Sequence, residues 1–106
     1  MAKLPVPLTF DWNQGNIEKN WHKHKVHFKE AEEVFFNKPL IILEDIKHSQ
    51  IEGRFIALGI TNENRNLYIV FTVRSDKISK AFLRIRIISA RDQSKDERRL
   101  YAEKEA

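Results

Sequence analysis

Arg84 and Arg86 stand two positions apart in Leu83-Arg84-Ile85-Arg86-Ile87-Ile88-Ser89-Ala90-Arg91, a run whose β-branched residues read as a strand. Strand alternation puts Arg84, Arg86, Ile88 and Ala90 on one face and Leu83, Ile85, Ile87 and Ser89 on the other. A guanidinium inside an apolar strand is costly unless its face is wet or meets an anion. Its planar fork of donors matches a phosphate group, so the chemistry this pair suggests is a phosphate clamp on the open face of a sheet. The competing reading is a solvated or salt-bridged face that guards a sheet edge. Arg54 opens an earlier strand and Arg74 ends the strand between them, so strand pairing would gather several guanidiniums.

Proton transfer needs an imidazole or a carboxylate. His22, His24 and His27 look like a metal cluster, but on a helix positions 22 and 24 point about 200° apart and cannot share one ion. No metal site and no cofactor is expected. His24 falls on an apolar helical face with Ile17 and Trp21, where a histidine more often packs than catalyses. Glu97 is half of a capping box, Ser94-Lys95-Asp96-Glu97, yet it lies near the end of the arginine strand and can serve as a base. The phosphate-binding loop, GxGxxG, GxSxG and HExxH patterns are absent. With no cysteine in the chain, thiolate nucleophiles and disulfides are excluded.

The elements that must position these residues can be read from periodicity. Leu8 to Trp12 alternates as a short first strand, and Asn13 offers an N-cap to a helix with Ile17, Trp21 and His24 on its inner face. A second helix, from about Phe28 to Phe35, buries Phe28, Ala31, Val34 and Phe35, turns Glu30, Glu32 and Glu33 to water, and stops at Asn37-Lys38-Pro39. Strands follow at 40–44, 53–61, 67–73 and 83–90, with a polar hairpin loop at 62–66 and a charged connection at 74–80. A last helix is capped by Ser94, with Glu97 reaching back, and continues through Arg98 to Lys104. The short connections leave no room for crossover helices. The expected fold class is therefore α+β: an antiparallel sheet meander with two N-terminal helices and one C-terminal helix, in a single domain over 1–106.

Composition fits that picture. The chain has 106 residues, 42% of them hydrophobic and 32% charged, with three glycines and three prolines, which excludes disordered, collagenous and low-complexity classes. Its apolar runs are far shorter than the roughly 20 residues of a membrane span. Met1 to Pro7 lacks the apolar core of a signal peptide, so a cytoplasmic protein with no membrane partner is expected. The net charge of +4 divides unevenly: +3 over 1–29, −4 over 30–63 and +5 over 64–106. Arginine dominates the last segment, and an anionic partner is the natural expectation.

Several landmarks run together along the chain: Phe10-Asp11-Trp12, Asn20, Lys23-His24, Glu30-Ala31, Val34-Phe35, Arg54 to Gly59, and Val70 to Arg74. They lead into Arg86-Ile87-Ile88-Ser89-Ala90-Arg91 and Glu97-Arg98-Arg99-Leu100-Tyr101, and together, from about residue 8 to 101, they resemble the BrnT family of toxins. The resemblance implies a RelE-like fold and the toxin of a type II toxin–antitoxin pair, a ribonuclease that cleaves RNA and inhibits translation. It also implies a BrnA-like antitoxin with a ribbon-helix-helix, reaching operator DNA through that antitoxin in a complex of two toxins and two antitoxins. On this reading Arg54, Arg74 and Arg86 bind phosphate or stabilise the transition state, and His24 or Glu97 carries the proton. Arg84, Arg91, Lys23 and Tyr101 contact RNA, with Tyr101 or Trp12 stacking a base. Such a site needs no metal, because a positioned ribose 2′-hydroxyl can attack its own phosphate. The chain departs from the family at Lys25, where glycine usually follows the Lys-His pair, and in a longer connection between Arg74 and Arg86. The alternative reading is a non-catalytic module that binds nucleic acid or antitoxin in operon autoregulation.

Overall fold

The computed structural model describes residues 8–45, 47, 53–75 and 83–105. The residues 76–82 of the expected charged connection, and Met1 to Pro7, lie outside the described residues. Three helices and four strands follow in the order α1 (Gln14–His24), α2 (Phe28–Val34), β1 (Ile41–Glu44), β2 (Arg54–Ile60), β3 (Asn66–Ser75), β4 (Leu83–Asp92) and α3 (Lys95–Glu105). The strands form one antiparallel sheet in sequence order, so the α+β class and the meander are as the periodicity indicates. Among the described residues no helix is long and apolar enough to cross a membrane.

The core lies between one face of the sheet and the α1–α2 layer. Ala31, Val34 and Phe35 of the second helical segment meet Ala57, Leu67, Ile69, Phe71, Ile85, Ile87 and Ala90. An aromatic chain threads it, with Phe10 on Phe35 at 5.6 Å, Phe35 on Phe71 at 5.1 Å and Phe71 on Phe55 at 5.6 Å between ring centroids. Close approach of α2 to β2 needs Gly59, since a Cβ there would stand 2.6 Å from a Val34 methyl.

Two expectations about the N-terminal third are corrected. Leu8 to Trp12 is not a strand of the sheet: Phe10 alone makes a parallel bridge, to Ile85 on the outer side of β4. The buried face of α1 is also different. Asn16 and Asn20 are buried while Trp21 is 47% exposed and His24 is half-buried.

The reason lies in the backbone of β4, an edge strand whose outward N–H and C=O groups need partners. Thr9 Oγ1 donates to Leu83 O, Ile85 N–H donates to Thr9 O, and Asp11 N–H donates to Ile85 O. Farther along, the Asn16 amide donates to Ile87 O at 3.1 Å, and Ala90 N–H donates to Asn20 Oδ1 at 3.0 Å. A helix can pack on a strand edge only with side chains that hydrogen-bond, so polar asparagines occupy the positions that hydrophobic periodicity assigns to apolar ones. Asn20→Ala strands the buried Ala90 N–H, and a destabilisation of about 1–3 kcal/mol is expected, read as a lower urea midpoint at unchanged m. A wild-type midpoint in that variant would show that the edge is satisfied in some other way.

Helix ends follow their sequence signals. Asn13 caps α1 reciprocally with Asn16, His27 caps α2 reciprocally with Glu30, and Ser94 with Glu97 caps α3, which begins at Lys95 as expected. Lys25 ends α1 in the left-handed region, at φ 55° and ψ 38°. An L-residue there costs roughly 1 kcal/mol relative to glycine.

Candidate nucleic-acid interface

The register of β2, β3 and β4 decides which arginines meet. Arg54 opposes Thr72, and Thr72 opposes Arg86, so a row Arg54–Thr72–Arg86 crosses three strands. Two residues along, Arg74 opposes Arg84. Cross-strand partners share a face, which is the face away from α1 and α2. At about 4.8 Å between strands, the Arg54 and Arg86 backbones lie roughly 10 Å apart, and the two rows are separated by about 7 Å. The sheet thus gathers the four arginines that alternation singled out.

Thr72 between them went unremarked in the sequence. It is 1% exposed and its hydroxyl donates to Gly53 O at 2.6 Å, which pins the backbone just before Arg54. Arg86 reaches the N-terminal segment loosely, its Nη1 standing 3.6 Å from Asp11 Oδ2 and 3.5 Å from Asp11 O.

Behind the arginine rows lies a half-exposed belt of Leu43, Ile56, Val70 and Ser89, aligned across all four strands. Beyond it, Leu58, Tyr68 and Arg91 form the next row, where α3 lies against β2 and Leu58 and Tyr101 are buried. Arg91 shares the arginine face through a bulge. Val70 pairs Ser89 but Phe71 pairs Ile87, so Ile88 is an extra residue that reverses the alternation of β4. The expected placement of Ile88 and Ala90 beside Arg84 and Arg86 is corrected accordingly: Ala90 is fully buried in the core, and Arg91 takes the open face. The side-by-side Ile87 and Ile88 are the sequence trace of that break.

Arg91 stacks over Tyr68 at 3.9 Å and forms a two-pronged ion pair with Glu97 at 2.8 and 2.9 Å. Glu97 also accepts from Ser94 N–H at 2.7 Å. The Arg91 guanidinium, with the Ser94 groups adding to it, holds the Glu97 carboxyl below the usual carboxylate range, while the same pair raises Arg91. Burial pushes the Tyr68 phenol up. Glu97 is therefore an ionised anchor for Arg91, a weak base on both charge and geometry.

The remaining candidates are dispersed. The backbone carbonyl of His24 is held by Arg65 together with Asp92, at the end of β4 opposite Arg84. Eight residues of strand separate Arg84 from Asp92, on the order of 25 Å, so His24 does not reach the arginine rows. Lys23 is exposed on α1. Tyr101 is 3% exposed with its hydroxyl on Pro39 O at 2.6 Å, and Trp12 donates to Glu32 at 2.7 Å against the edge of Phe28. Tyr101 is thus buried within the fold, and Trp12 is partly buried against it. Among the described residues no group of three or more histidines or carboxylates is placed to hold a metal ion.

An antiparallel sheet with one face covered by helices and the other carrying two rows of guanidiniums defines an α+β domain suited to a polyanion. Over residues 12–97 the chain matches the family described as the ribonuclease toxin, BrnT, of type II toxin–antitoxin systems, and it belongs to that family. Among curated proteins none matches the chain. Membership brings an antitoxin partner and an RNA target with it.

Proposed function

We propose that the domain cleaves RNA on the open face of its sheet and thereby inhibits translation. The observation that carries the reading is the row Arg54–Thr72–Arg86 beside the pair Arg74–Arg84. Arg54 and Arg86 flank one phosphate, and Arg74 and Arg84 hold its neighbour. The ribose 2′-hydroxyl gives its proton to solvent as its oxygen forms a bond to phosphorus, the bond to the 5′-oxygen breaks, and the leaving oxygen takes up a proton from solvent. The extra charge on the pentacovalent phosphorus falls between two fixed guanidiniums, a task that elsewhere often goes to a metal ion. A BrnA-like ribbon-helix-helix antitoxin neutralises the toxin in the cytoplasm, and a complex of two toxins and two antitoxins holds operator DNA through the antitoxin.

Induced expression is expected to arrest growth, and co-expression of the antitoxin to restore it. Purified protein should cut single-stranded RNA in the presence of EDTA and leave 2′,3′-cyclic phosphate ends. A second reading, binding without chemistry, is favoured by the positions of Glu97 and His24, neither of which is placed to move a proton at the arginine rows. RNA binding whose logarithm falls with log salt at a slope of roughly −1.4, as two neutralised phosphates imply, with no cleavage at any enzyme concentration, would select it.

A further inference from the structure

The corner between α1 and α2, on the helical side of the sheet, carries a set of aromatic and cationic groups that the arginine face does not use. Trp21 is 47% exposed. The Lys25 ammonium sits over its ring at 5.3 Å, and the His27 ring meets its edge at 6.4 Å. His27 in turn stacks on Phe28 at 4.6 Å. The left-handed backbone of Lys25 is a cost to the free fold. Glycine at position 25 would relieve the backbone; the lysine there carries its ammonium to the indole instead.

The surrounding charge is positive. Lys23, Lys25 and Lys29 are exposed; of the nearby carboxylates Glu30 is paired with Arg65, while Glu18 and Glu32 accept from the uncharged Gln14 and Trp12 and keep their charge. An exposed indole flanked by ammonium groups matches the alternation of base and phosphate in a single strand, where stacking is sequence-tolerant and lysines neutralise the backbone. We infer that the α1–α2 corner is a second binding site, for single-stranded RNA, with a base stacked on Trp21 and the adjoining phosphate on Lys25. The inference rests on the RNA-directed reading above, but it concerns holding rather than cutting. A duplex cannot use the site because its bases are not free to stack on a protein ring.

The test uses a short oligoadenylate with 2′-O-methyl riboses, which cannot be cut by 2′-oxygen attack, beside a duplex of the same length. Indole fluorescence and anisotropy of labelled RNA are followed for the wild type, Trp21→Ala and Lys25→Gly. The single strand should quench the wild type and the duplex should not. Trp21→Ala should bind about tenfold more weakly. Lys25→Gly should flatten the salt slope by roughly 0.7 while its thermal midpoint rises by on the order of 5 °C. The inference is overturned if Trp21→Ala holds the single strand as tightly as the wild type, or if the duplex quenches equally. It is also overturned if the variant keeps RNA but loses the antitoxin, since a protein is then the occupant. Protein that binds here yet never cuts unmodified RNA refutes the ribonuclease reading and supports this site; protein that cuts RNA without quenching refutes this site alone.

Discussion

Arg86→Ala is expected to fold like the wild type and to cut RNA about a hundredfold to a thousandfold more slowly, the loss seen when one preorganised charge-stabilising donor is removed. Two features make Arg86 the largest single contributor to the site. It lies in the same row as Arg54, across the buried Thr72, where the proposed mechanism puts one phosphate between the two guanidiniums. Its own ties within the fold are long, at 3.6 Å to the Asp11 carboxylate and 3.5 Å to the Asp11 carbonyl, so its removal breaks little structure. A stability change below about 1 kcal/mol is expected, as for a partly exposed ion pair. Arg86→Lys should recover little activity, because a point charge cannot reproduce the fork. Growth arrest in cells and cleavage of labelled RNA give the two readouts, with circular dichroism confirming the fold. Full toxicity in a folded Arg86→Ala protein would falsify the phosphate assignment.

Arg65→Ala is expected to have the largest effect on stability, though Arg65 lies far from the arginine rows. One guanidinium joins α1, α2 and β4. Its Nε donates to Asp92 at 2.7 Å at the end of β4, Nη1 donates to Glu30 of α2 at 3.2 Å and to Lys25 O at 2.9 Å, and Nη2 donates to His24 O at the end of α1. Asp92 is largely exposed, which discounts that arm of the clamp, but the two carbonyls at the end of α1 have no comparable donor if the guanidinium is lost. A loss of about 2–3 kcal/mol follows, or a fall in Tm on the order of 10–20 °C for a domain of this size. Arg65→Lys should recover less than half, since one ammonium cannot reach all four acceptors.

Acid gives an independent check on the same clamp. Arg65, chiefly by hydrogen bonding, holds the folded Asp92 carboxyl below its ordinary value, so the stabilisation is present above that ordinary value and is lost as pH falls through the lower, folded one. Wild-type Tm should therefore drop through the range below about pH 4, and the drop should be shallower in Arg65→Ala. Parallel acid limbs in the two proteins would show that Asp92 draws nothing from Arg65.

Much of the architecture was legible because it rests on short-range patterns. The meander follows from alternation and short connections, and the α3 cap follows from Ser94 and Glu97 at capping-box spacing. The inner face of α1 was not legible, because hydrophobic periodicity assumes a helix packing on side chains. Here the helix packs on a strand edge, and Asn16 and Asn20 are selected by the carbonyl of Ile87 and the amide of Ala90. The gathering of arginines was foreseen only as a possibility of strand pairing. Which arginine faces which depends on register, and so does the place of Thr72 between Arg54 and Arg86. His24 was a candidate by residue type and by resemblance, and neither says which end of β4 the helix runs toward. Arg65 is not marked in the sequence because its partners come from three separate elements, α1, α2 and β4, brought together only by the tertiary fold.

The extra residue at Ile88 makes β4 two half-strands of opposite phase. The half before it sends Ile85 and Ile87 inward and its arginines outward, and the half after it sends Ala90 inward and Arg91 outward. A one-residue deletion at the junction would put both halves in one phase: Val70 still pairs Ser89 and Phe71 still pairs Ile87, with Ala90 inward, Arg91 outward and Glu97 on its guanidinium. What the extra residue adds is therefore not a choice of face but a local bend and twist of β4 between the arginine rows and the start of α3.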